Sequence, residues 1–142
     1  MGLLFDEECN YKNLNPLVLA FIGDAIYDLM ARHKIILESN ASVGKLNKIK
    51  VKMVCCKAQS EAFNNILDFL TEEELNIYKR GRNAHTRNIP KNSTSAQYHS
   101  ATGLEALFGY LYLKNDISRL RELFSLISNI KDGVVSSENI KK

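Results

Sequence analysis

The sequence predicts an all-α domain. Apolar residues recur at three- and four-residue spacing in successive segments, and side chains suited to capping a helix stand ahead of several of them. One segment, residues 48–53 (KIKVKM), also alternates with the period of a strand. No second strand-like segment lies near enough to pair with it, so helix is the better reading there too.

The elements follow in order. Asn15 followed by Pro16 reads as an N-cap with proline at the first helical position. Leu19, Ile22, Ile26 and Leu29 then form a helical stripe in a segment reaching about Leu37. Ser42 can cap a second helix carrying Val43, Leu46, Ile49 and Met53 on one face. A third helical pattern runs from Ala58 to Leu70, with Ala62, Phe63, Ile66 and Leu67 on one side. The TEEE sequence at 71–74 is a capping-box pattern that starts a helix reaching about Gly81. Residues 82–98 are polar, contain Pro90 and lack periodicity, which predicts a loop with short helical turns. Helix resumes near Ser100, with Leu104, Leu107, Phe108 and Leu111 facing inward. Asp116 caps a last helix whose apolar face is Leu120, Leu123, Phe124, Ile127 and Ile130, and Gly133 closes it before a frayed tail.

The chain has 142 residues, enough for one domain with a real core. Its hydrophobic share of 45% and charged share of 25% are those of an ordinary globular protein. No apolar run approaches the ~18 residues of a membrane span. The first residues, MGLLFDEECN, hold acids and no basic stretch, so no secretory signal is expected. Cys9, Cys55 and Cys56 lack the spacing of a zinc site; reduced thiols in a cytoplasm, packed as small hydrophobes, are the expectation.

Net charge is only +3, but it is segregated. Residues 75–104 contain no acid, while Lys79, Arg80, Arg82, Arg87 and Lys91 supply five fixed positive charges. A second acid-free stretch, 44–60, carries Lys45, Lys48, Lys50, Lys52 and Lys57. Such segregation favours a polyanionic partner.

Two acids stand apart from the rest. Asp24 lies within LAFIGDAI (19–26) and Glu105 within TGLEALFG (102–109), both strongly apolar segments. A buried carboxylate needs a cation, a donor network or a raised pKa. Two of them meeting across a helix crossing could hold Mg2+, which accepts a few carboxylates and several waters. A single buried acid bonded to a local hydroxyl or amide is the competing explanation. Gly23 and Gly103 favour the first, because a glycine inside a helix costs roughly 1 kcal/mol against alanine and marks close approach of a backbone or ligand.

These two segments carry a resemblance. LAFIGDAI resembles the ribonuclease III signature helix, commonly LEFLGDAV, and TGLEALFG resembles that family's second acidic segment, commonly DxFEALxG. KRGRN at 79–83 and PKN at 90–92 are similar to the short bacterial branch called Mini-ribonuclease III. The likeness covers about residues 14–130. It implies a single ribonuclease III endonuclease domain, a helical bundle working as a homodimer, with no double-stranded-RNA-binding domain following. The sequence departs from the family pattern at Ala20 and Thr102, where the family usually carries a glutamate and an aspartate. Those positions share a helix face with the retained acids, so waters and RNA phosphate oxygens would supply most of the metal ligands.

The resemblance implies hydrolysis of double-stranded RNA to 5′-phosphate and 3′-hydroxyl ends, with Asp24 and Glu105 as catalytic metal ligands and Mg2+, or Mn2+ in its place, as cofactor. It implies a precursor of 23S ribosomal RNA as substrate. Lys79, Arg80, Arg82, Asn83, Arg87 and Lys91 suit contacts to phosphate and 2′-hydroxyl groups on an A-form helix. Phe21, three residues before the aspartate, is expected to insert into the partner subunit. His33, His85 and His99 are not expected to act in catalysis. The alternative is an inactive RNA-binding protein on the same fold, against which the retention of both acids argues.

Overall fold

The computed structural model describes residues 4–84, 91 and 93–131, with side chains up to Ser128. Among them there is helix and no strand. After a 3-10 turn at Tyr11–Asn13 come α1 (Pro16–Glu38), α2 (Val43–Val54) and α3 (Cys56–Ile66), then a second 3-10 turn at Leu67–Phe69. The chain continues as α4 (Glu72–Asn83), α5 (Ser95–Leu113) and α6 (Ile117–Lys131). No described helix is long and apolar enough to cross a membrane.

The expected caps form. The Asn15 side chain accepts from Leu17 N at 2.8 Å, with Pro16 inside the first turn. Ser42 Oγ accepts from Lys45 N at 3.4 Å, and Asp116 Oδ1 accepts from Arg119 N at 3.1 Å. Thr71 and Glu74 exchange both bonds of a capping box, at 3.1 and 2.9 Å. A second capping box, Thr94 with Gln97, starts α5 five residues before the expected Ser100. Because α4 runs on to Asn83 and α5 starts at Ser95, both ends of the loop predicted over 82–98 are helical, and residues 85–90 and 92 lie outside the described residues. Pro90 and Gly133 lie outside the described residues.

α5 is the axis of the fold. It packs against α1, α4, α3 and α6, and its residues from Ser100 to Leu111 are buried apart from Glu105. The core of α1 differs from the expected stripe. Leu19, Gly23, Tyr27, Ala31 and Ile35 face inward, while Ile22 and Ile26 are half-buried and Leu29 is 60% exposed. The inward face is the one bearing small residues, because that face lets the α1 backbone reach α5. Tyr27 packs its ring on Phe108 and Phe124, with centroids 5.1 and 5.5 Å away. α2 buries none of its residues: Leu46 and Met53 are half-covered, and Val43 and Ile49 stay exposed, since α2 leans mainly on α1 and α3. Leu67, expected inside, is exposed in the 3-10 turn, and Cys9 and Cys55 are exposed thiols rather than core residues.

Two links fasten α4. Glu74, 4% exposed, receives Arg119 Nε at 2.7 Å and Nη2 at 2.8 Å, and the same guanidinium bonds Phe69 O and Glu122. This pair ties the start of α4 to α6, and a carboxylate with so many donors keeps its charge: Glu74 is held below the usual range against the opposing effect of burial. Farther along, Phe63 stacks on Tyr78 at 3.5 Å, and Tyr78 OH donates to Ser100 Oγ at 3.1 Å.

The α1–α5 crossing is made backbone to backbone. A Cβ at Gly23 would collide with the Glu105 carbonyl, and one at Gly109 with the Leu19 carbonyl. Gly103, expected to serve the same crossing, instead receives Tyr78 of α4. Rigid carbonyls cannot yield as a flexible side chain can, so Gly109→Ala should lower stability by about 2–3 kcal/mol or more. Gly44, in open space on α2, is the control: Gly44→Ala should leave stability unchanged or raise it by up to about 1 kcal/mol. Urea denaturation of both variants checks this, and equal stabilities would contradict the crossing.

Candidate active site

The crossing sets where Asp24 and Glu105 fall. Gly23 abuts the backbone of Glu105 itself, so the next residue on α1 stands beside the Glu105 side chain. The two carboxyls lie within hydrogen-bonding reach of each other. Asp24 is exposed on the rim, contrary to the expectation of a buried acid, and Glu105 is largely covered. One acid of the pair faces solvent and the other is sunk behind it.

α3 contributes a residue that the sequence reading passed over. Gln59 is 2% exposed and is among the largest fully buried side chains. It sits beside Glu105, and its Nε2 has no hydrogen-bond partner of good geometry. A buried amide left unpaired costs roughly 1–3 kcal/mol, so its retention calls for a reason. A signal was present: Gln59 is four residues before Phe63 and three before Ala62, a polar residue on the apolar stripe of α3. Tyr27 is the fourth member. Its hydroxyl is pushed upward by burial, then by Glu105, then by the Cys55 thiol.

Burial, joined by the Asp24 carboxyl, pushes Glu105 up to about 8, with Gln59 opposing. Two acids that repel one another and open to solvent on one side suit a divalent cation, which would relieve that repulsion. Among the described residues no group of three or more His, Cys, Asp or Glu could hold a metal. Ala20 and Thr102 are both buried and offer no carboxylate; Thr102 Oγ1 donates to Tyr98 O at 3.0 Å. Two carboxylates with open coordination positions match the habit of Mg2+, which keeps several waters and takes further ligands from substrate phosphates.

The basic residues sit at the end of α4 more than on a loop. Lys79, Arg80 and Asn83 are exposed and Arg82 is half-buried, all within the helix. Arg80 Nη2 donates to Leu14 O at 3.2 Å. The Arg82 guanidinium lies 5.7 Å from the Tyr78 ring centroid, and its Nε reaches Asn83 Oδ1 at 3.1 Å. Lys91 is exposed, and Arg87 and His85 lie outside the described residues. This end of α4 meets α5 through Gly81, which abuts Gly103 and Ala106 on either side of Glu105 in sequence. His33 is exposed and His99 half-buried. Phe21, one turn before Asp24, is 83% exposed.

The family described as Ribonuclease III domain matches residues 17–116, a span that contains Asp24, Gln59, the end of α4 and Glu105. The chain belongs to the ribonuclease III family. It is 46% identical to the Mini-ribonuclease 3 of Thermoanaerobacter sp., over 89% of this chain and 92% of that one. Against the Mini-ribonuclease 3 of Clostridium tetani the identity is 42%, over 90% and 84%. These relatives place it in the Mini-ribonuclease 3 branch. A crystal structure of a Fusobacterium nucleatum protein superposes with a TM-score of 0.75 at 32% identity, covering 82% of this chain and 94% of that one.

The raised Glu105 gives a pH signature. Its folded value of about 8 lies above the ordinary 4.5, so between these the folded state binds a proton that the unfolded state has lost. Stability of the metal-free protein should then fall as pH rises from about 5 to about 8. Glu105→Gln removes this dependence, so denaturation in EDTA should show the variant gaining on the parent as pH rises. Parallel curves would contradict the coupling.

Proposed function

We propose that this chain, an endoribonuclease of double-stranded RNA by its family, cleaves with a divalent ion held by Asp24 and Glu105, to leave 5′-phosphate and 3′-hydroxyl ends. The observation that carries the reading is the meeting of these two carboxyls, one exposed and one largely covered, at the α1–α5 crossing. The bound ion, Mg2+ or Mn2+ in its place, would activate the attacking water and neutralise charge building on the phosphodiester. Glu105 would give up its proton on ligation, because a cation favours the carboxylate form that burial disfavours. Asp24, which is exposed, would hold the ion on the solvent side.

Lys79, Arg80, Arg82, Asn83, Arg87 and Lys91 are proposed as the RNA-binding surface. Arg82, over the Tyr78 ring and bonded to Asn83, suits a phosphate rather than a base. We assign a precursor of 23S ribosomal RNA, in the cytoplasm, as the substrate. The whole chain, 1–142, is read as one catalytic domain.

Paired cuts across an antiparallel duplex call for two sites related by a two-fold axis, and hence a homodimer. The outer face of α1 supports one. Leu17, Val18, Phe21, Leu29 and Ile36 are all exposed there, an apolar surface that a second copy would cover. Phe21, at its most exposed point, is proposed to insert into the partner.

Cleavage of a long RNA duplex tests the site. Asp24→Asn and Glu105→Gln should each reduce the rate to near background in Mg2+ while the protein stays folded by circular dichroism, because each removes a ligand charge at nearly constant volume. A folded variant retaining substantial activity would defeat the reading. In sedimentation at micromolar concentration the parent should run as a dimer and Phe21→Ala should shift toward monomer. A monomeric parent that still makes paired cuts would remove the dimer from the account.

A further inference from the structure

The amide of Gln59 finds nothing in the packing of α3 that requires it. Its neighbours on the buried face, Ala58, Ala62, Phe63 and Ile66, are apolar, and a methionine would fill the same volume. Yet the side chain is 2% exposed, its Nε2 is an orphan donor, and the nearby group able to accept from it is the Glu105 carboxyl. The helices converge there: α1 brings Asp24, and α3 brings Gln59, to the same Glu105 carboxyl.

We propose that Gln59 is a positioning residue, whose side-chain amide donates to one carboxyl oxygen of Glu105 and so presents the other oxygen to a divalent ion shared with Asp24. The proposal rests on the reading of Asp24 and Glu105 as the metal-binding pair. Gln59 supplies what Ala20 and Thr102 do not. A site with two carboxylates cannot rely on neighbouring ligands to fix their orientation, so an outer donor must do so.

Gln59→Met tests the role, because it keeps length and volume and removes the donor. Mn2+ binding to the RNA-free protein, followed by water-proton relaxation, should weaken by ~10- to 100-fold, as loss of an outer partner of a metal ligand does elsewhere. Tm without metal should stay level or rise, since an unpaired buried amide has gone. A purely structural glutamine predicts the reverse, a lower Tm with unchanged Mn2+ affinity, and that result would overturn the proposal. Asp24→Asn in the same assay separates the two levels. If it abolishes binding while Gln59→Met leaves the affinity unchanged, the metal pair stands and the positioning role falls. If Asp24→Asn binds Mn2+ like the parent, the pair itself falls and this proposal with it. Should Gln59→Met fail to fold, the parent answers. The Gln59 side-chain amide signal, in 15N-labelled protein, should move on adding Mg2+ and stay still in Glu105→Gln. An amide unmoved by Mg2+ in the parent would also overturn the proposal.

Discussion

Everything at this site depends on how closely two helix backbones approach. Gly23 and Gly109 remove the side chains that would hold α1 and α5 apart, and each accepts a carbonyl of the opposite helix where a Cβ would stand. Helices carrying ordinary side chains pack with axes ~8–10 Å apart; here no Cβ fits at either glycine. The closeness is what lets Asp24, next to Gly23, share space with Glu105, whose own backbone forms the crossing. The same geometry turns Leu17, Phe21 and Leu29 outward, since a helix that presents its small residues to the core must present its large ones elsewhere. One constraint thus orders both the carboxyl pair and the apolar outer face.

The pair is held together against its own electrostatics. Burial and the Asp24 carboxyl both disfavour charge on Glu105, and Gln59 opposes them only in part. Stability must come from elsewhere, and the ties that fasten α4 supply some of it. Arg119 clamps the buried Glu74 to α6, and Tyr78 sandwiches itself between Phe63 and Gly103. Those contacts fix α4 on α5, and with it the basic end bearing Arg82, independently of whether Glu105 carries a proton. A cation bound by the acid pair would then leave the proposed RNA surface in place.

Much of this was legible in the sequence, and the exceptions have physical causes. The helix caps at Asn15, Ser42, Thr71 and Asp116 are local, and each forms. Asp24 and Glu105 stood out as acids in apolar segments, and the structure brings them together, though Asp24 is exposed. The face of α1 was misread because periodicity weighs large apolar residues. Here Gly23 and Ala31 mark the core, and Leu29 does not. α5 begins early because the Thr94 and Gln97 box outweighs a polar first turn. The Arg119–Glu74 link joins residues 45 apart in the chain, and no local pattern announces such a pair. Gln59 was visible as a lone polar residue on an apolar stripe, but its meaning required knowing that α3 meets α5 at Glu105.

The central claim is that Asp24 and Glu105 act as one divalent-ion site within a two-fold dimer on duplex RNA. Crystals of the protein with a short RNA duplex and Mn2+, measured at the manganese absorption edge, test it most directly. The account predicts an anomalous peak contacted by both carboxylates, with a phosphate oxygen completing it, repeated in a second copy related by a two-fold axis. Manganese bound away from either carboxylate, in a complex with RNA lying along the end of α4, would contradict it.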